Sequence, residues 1–62
     1  MAVEDTVVIH TARTHGVWHV TRDGAFVGDY FAEAPARLAA MLAARDAERL
    51  GRRAEVRFGP HD

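Results

Sequence analysis

Val17-Trp18-His19-Val20-Thr21-Arg22-Asp23-Gly24-Ala25-Phe26-Val27-Gly28-Asp29-Tyr30-Phe31 carries the strongest local fold signal in this chain. Two runs rich in β-branched and aromatic residues meet at Asp23-Gly24, and such runs favour strands. A two-residue type I′ turn needs φ > 0 at both central positions, which Gly adopts freely and Asp tolerates. The stretch therefore predicts a hairpin, with strands over residues 17–22 and 25–31. A two-residue turn sets the register: Arg22 faces Ala25, Val20 faces Val27 and Trp18 faces Asp29.

Upstream, Thr6-Val7-Val8-Ile9-His10-Thr11-Ala12 reads as a first strand, and Arg13-Thr14-His15-Gly16 as a four-residue loop. That loop makes Ala12 face Val17 and His10 face His19. Side chains alternate between the faces of a strand. One face then collects Val7, Ile9, Trp18, Val20, Val27 and Phe31, the expected core. The opposite face collects Val8, His10, Val17, His19, Thr21, Phe26 and Tyr30. A one-residue slip in the first loop would turn the whole first strand over.

Downstream the periodicity changes. Residues 35–50 predict a helix, with Pro35 in the first turn, where its missing N–H costs nothing. Glu33 sits near the positive end of the helix dipole, and Arg45 and Arg49 near the negative end. Gly51 supplies the stop. At about 100° per residue, Leu38, Ala39, Leu42, Ala43, Ala47 and Leu50 form one stripe expected to cover the core face. Glu55-Val56-Arg57-Phe58, with Ala54, reads as a last strand ended by Gly59-Pro60. A right-handed crossover would place it parallel to the first strand. The expected fold is α+β, β-β-β-α-β: an antiparallel three-stranded meander in the order 3-2-1-4 with the last strand, and one helix on one face. Residues 1–62 form a single domain.

Composition narrows the function. A 62-residue chain buries only about 60% of the surface its unfolded form exposes, so its core is marginal. With no cysteine, disulfides and thiolate metal sites are excluded, leaving oligomerisation as the common remedy. The eight basic residues are all Arg, set against nine acidic ones for a net charge of −1. No global basic field of the nucleic-acid-binding kind results. Arg in place of Lys, with abundant Ala, suggests a GC-rich bacterial genome. The start, Met1-Ala2-Val3-Glu4-Asp5, is acidic where a signal peptide is basic, and no apolar run reaches ten residues. The expected location is cytoplasmic, without membrane association.

Trp18-His19-Val20, Asp23-Gly24, Phe31, Glu33-Ala34 and Glu55-Val56-Arg57 running into Phe58-Gly59-Pro60-His61-Asp62 form a pattern. It resembles a bacterial family of short, free-standing domains of unknown function. That resemblance implies the same β-β-β-α-β fold and conveys no activity, because the family has none assigned. Ala32 and Ala34 stand where such domains usually cap the helix with Thr or Ser. The 3-2-1-4 order is also similar to the first half of a ribonuclease-H-type sheet, shared by HicB-like antitoxin domains. The nucleases among these hold metal through a carboxylate on the first strand, and residues 6–12 here have none.

Chemistry-bearing residues are few. The chain has no Cys, Ser or Lys, no nucleophile turn and no phosphate-cradling Gly loop, so no catalytic residue is assigned. His10 and His19, as expected cross-strand neighbours, supply two imidazoles, whereas a structural zinc site needs four ligands. No metal and no cofactor is expected. Asp46 falls inside the apolar stripe and calls for a partner, with Arg22 and Arg53 as candidates. Arg45, Arg49, Arg53 and Arg57 are candidate phosphate contacts, although they interleave with Asp46, Glu48 and Glu55 as on an ion-paired surface.

The leading expectation is a protein-interaction domain, either a homodimer or a module docking a partner protein. Its surface would be the open sheet face: Val8, His10, Val17, His19, Phe26 and Tyr30. The alternative is a nucleic-acid-binding module using that face or the Arg cluster. The arm-binding domains of tyrosine integrases look similar in their first three strands and helix. Their mode of binding calls for several Arg or Lys on the sheet, which this face lacks.

Overall fold

A computed structural model describes residues 6–61, with Pro60 and His61 described by backbone alone. The acidic Met1–Asp5 start and Asp62 lie outside the described residues. Four strands and one helix follow in the order β1 (Thr6–Thr14), β2 (Val17–Arg22), β3 (Ala25–Tyr30), α1 (Glu33–Arg49) and β4 (Arg53–His61). The sheet order is β3-β2-β1-β4, with β1 antiparallel to β2 and parallel to β4. This is the expected α+β fold in the expected strand order.

Both hairpins close with two residues. Asp23 (φ 50°) and Gly24 (φ 85°) occupy the second turn as anticipated, and His15 (φ 53°) and Gly16 (φ 79°) do the same in the first. The four-residue loop is thus corrected: β1 runs on to Thr14, which faces Val17, while Ala12 faces His19 and His10 faces Thr21. Histidine, like Asp and Asn, is enriched in the left-handed region, so His15-Gly16 makes the same turn. The register moves by two residues, an even number, and both faces keep their side chains. Asp23 also ties the second turn to β1. Its N–H donates to the Val8 carbonyl at 2.8 Å, and its carboxylate accepts from the Val8 N–H at 2.9 Å.

A bulge revises β3. Thr21 faces Phe26 but Val20 faces Gly28, leaving Val27 as the extra residue. Beyond it Trp18 faces Tyr30 and His19 faces Asp29, in place of the expected Trp18–Asp29 and Val20–Val27 pairs. Tyr30 therefore moves to the helix side and packs against the core, whereas Val27 and Phe31 are exposed. Gly28 makes room for this. A Cβ there would sit 2.8 Å from the Tyr30 hydroxyl oxygen.

The helix seats itself on alanine. Ala36, Ala40 and Ala47 are buried against Val7, Ile9, Trp18 and Val20, with Ala39, Ala43 and Ala44 alongside. The spacing 36, 40, 43, 47 is a helical stripe of its own. Leu38, Leu42 and Leu50, expected in the core, are exposed by 56%, 57% and 67%. Small side chains let the helix backbone approach the sheet, and the larger neighbours are turned outward.

Capping is unequal at the two ends. Gly51 (φ 82°) donates to Glu48 and Arg52 donates to Ala47, a Schellman closure that satisfies the last carbonyls. At the other end Ala32 holds the extended N-cap geometry (φ −141°, ψ 156°) with no side-chain acceptor. Ala32→Asp is expected to raise stability by about 1 kcal/mol, read as a higher urea midpoint with an unchanged m-value. An unchanged midpoint would contradict this. The helix starts at Glu33, two residues before the expected Pro35, which still falls within the first turn.

Candidate interaction surface

The open face of the sheet is more polar than the sequence suggests. Val8, His10, Val17, His19 and Phe26 lie on it, but Val8 and Val17 are half-buried and only Phe26 stands clear, 70% exposed. Tyr30 is absent from this face for the reason given above. His10 and His19 are not direct neighbours. A His10 ring nitrogen bonds the Gly59 carbonyl, and His19 Nδ1 meets the Asp29 carboxylate at 2.7 Å. On β4, Arg57 Nε donates to Glu55 at 2.6 Å. That hydrogen bond first, and the carboxylate's charge second, push Arg57 above its already high ordinary value. Its positive charge is fixed.

The four candidate phosphate contacts do not converge. Arg53 and Arg57 follow β4 on the open face, level with Thr6 and His10, while Arg45 and Arg49 belong to the helix on the other layer. Asp46 accepts from Arg22 at 3.3 Å and from Arg49 at 3.3 Å. Arg22 is thus a partner of the inward-leaning carboxylate, as one of the two sequence candidates. Among the described residues, no group of three or more His, Cys, Asp or Glu is placed to hold a metal ion. No described helix is long and apolar enough to cross a membrane.

The opposite layer carries the apolar surface. Met41 (52%), Val56 (39%) and Phe58 (42%) are exposed together where α1 overhangs β4. With Arg37 and Ala40 they line one open groove of about 280 Å³. Parallel pairing explains the strand's contribution: Val56 faces Ile9 and Phe58 faces Thr11, so both turn toward the helix. The Arg37 guanidinium lies 4.5 Å from the centre of the Phe58 ring and is held by Glu33 at 2.6 Å. Such a cation–π contact orders the ring without burying it. Sequence reading passed over Met41, Val56 and Phe58. The signal that reveals them is the alanine stripe, because a helix seated on alanine must present its larger residues elsewhere.

The two sheet edges differ. The edge of β3 is broken by the bulge at Val27, whereas β4 pairs regularly with β1 from Arg53 to Phe58 before its own irregularity near Gly59 (φ 112°). A bulge twists an edge away from further pairing, and a regular edge keeps a row of backbone donors and acceptors open. No family model matches the chain, and no curated protein or solved structure matches it.

Proposed function

We propose that this domain is a non-catalytic protein-interaction module whose partner is a second copy of itself, docked through the α1/β4 side rather than the open sheet face. One observation carries the reading. Among the described residues the core is Trp18 with three aliphatics and three alanines (Val7, Ile9, Val20, Ala36, Ala40 and Ala47), while Met41, Val56 and Phe58 stand exposed together where α1 overhangs β4. Apolar surface gathered in this way on so small a domain marks an interface. Among the described residues the largest fully buried side chains are Ile9, Val7, Val20 and Thr11, so association also supplies burial that the monomer lacks.

Magnitudes set the expected affinity. Covering the remaining exposure of Met41, Val56 and Phe58 is worth about 1 kcal/mol per side chain. Over two copies this is about 6 kcal/mol, before backbone pairing is added and association entropy subtracted. Backbone pairing along β4 must offset the association entropy and supply the rest of the about 8 kcal/mol that a micromolar dimer requires. Sedimentation velocity from about one to a few hundred micromolar should show the mass doubling with concentration. A monomer throughout that range would overturn the reading.

A further inference from the structure

We propose that two copies join edge to edge through β4, antiparallel, on a two-fold axis passing through Val56. The inference rests on the self-association reading above and adds its register. In an antiparallel pair centred on Val56, Val56 lies beside its own copy, Glu55 faces Arg57 of the other chain, and Arg57 faces Glu55. Opposite charges meet twice, on the open face. On the helix face Ala54 faces Phe58, small against large, at both ends of the seam. Centres one residue away on either side, at Glu55 or Arg57, would instead set a like charge against itself, which is unfavourable for directly opposed residues.

The geometry of the edge supports the same centre. The regular part of β4 ends at Phe58, before the irregularity near Gly59, and begins at Arg53, just after the helix-terminating turn. Residues 54–58 are thus free of both, with Val56 in the middle. A two-fold axis perpendicular to the sheet keeps both helices on one side of an eight-stranded sheet, in the order 3-2-1-4-4-1-2-3. The Met41 flank of each helix overhangs the seam and meets its counterpart there. The groove lined by Arg37, Ala40, Met41, Val56 and Phe58 is closed by the same groove of the other copy. Closed two-fold pairing of this kind also removes the regular edge as a template for further chains.

The test uses the full chain and charge reversal. Glu55→Arg alone and Arg57→Glu alone each put like charges opposite across the seam, and each should weaken dimerisation about tenfold in sedimentation. An equimolar mixture of the two variants should recover wild-type association as a heterodimer. Neither chain in that mixture retains the in-strand Glu55–Arg57 pair, so recovery reports cross-chain pairing alone. As a second measurement, Val56→Cys should form a disulfide-linked dimer under mild oxidation, since a cysteine on the axis faces its own copy. Leu42→Cys, on the other flank of the helix, should not. If wild type dimerises while the mixture stays as weak as its components and Val56→Cys does not cross-link, the β4 register is overturned and self-association stands. A wild type that stays monomeric removes both.

Discussion

Ala47→Leu is expected to destabilise the domain by about 1–3 kcal/mol, and on so thin a core to leave a measurable unfolded fraction at room temperature. Ala47 is 0% exposed beneath the helix, in the core with Val7, Ile9, Trp18 and Val20. Three added carbons press on the sheet and lift α1 from it, and lifting it also loosens Ala36 and Ala40. Leu38→Ala removes the same three carbons from a side chain that is 56% exposed, and should change monomer stability by no more than about 0.5 kcal/mol. The pair of variants inverts the usual expectation that leucines are inside. Urea unfolding at a concentration where the chain is monomeric reads both. Equal and large losses from the two would mean that the helix is seated on its leucines instead.

Thr11→Val should act in the opposite direction, raising stability by about 1–2 kcal/mol. Thr11 is fully buried between Val20 and Phe58, and its hydroxyl oxygen has no hydrogen-bond partner among the described residues. A buried hydroxyl without a partner carries its full desolvation cost, and valine keeps the branched shape without it. For a domain of this size each kcal/mol moves the melting temperature by about 4–8 °C, so the shift is easily resolved. A lower melting temperature for Thr11→Val would show that the hydroxyl is satisfied in solution, by a buried water or a backbone group.

The Asp23-Gly24 turn and the helix stop were legible because each rests on local chemistry, and the strand order because it follows from the handedness of the crossover. Asp23-Gly24 admits one tight turn, Gly51 ends a helix, and a parallel last strand follows from the crossover. The bulge at Val27 was not legible, since alternation from Ala25 to Phe31 runs unbroken through it. Gly28 was the available hint, because a glycine inside a strand often marks a bulge or a close approach. Missing it moved Tyr30 to the wrong face and placed Val27 and Phe31 in the core. His15-Gly16 was misjudged because histidine is a less familiar occupant of the left-handed region than Asp or Asn.

The helix face shows a different failure. The leucine stripe and the alanine stripe share Ala43 and Ala47, so hydrophobic weight alone favours the leucines. What decides is distance. A helix lying close over a four-stranded sheet has room for alanine along its line of contact, and that geometry is visible only once the fold is assembled. The expected surface lies on the open sheet, where ion pairs and histidine hydrogen bonds accompany Val8, Val17 and Phe26, whereas Met41, Val56 and Phe58 are exposed on the helix side.

Dilution of an isotope-labelled sample, followed by amide and methyl NMR shifts, tests most directly which surface the chain uses. Concentration-dependent changes should gather on residues 54–58 and the Met41 methyl, leaving Val8, Val17 and Phe26 unmoved. Changes confined to those three residues instead, or none over the range in which the protein remains soluble, would contradict an interface at the α1/β4 side.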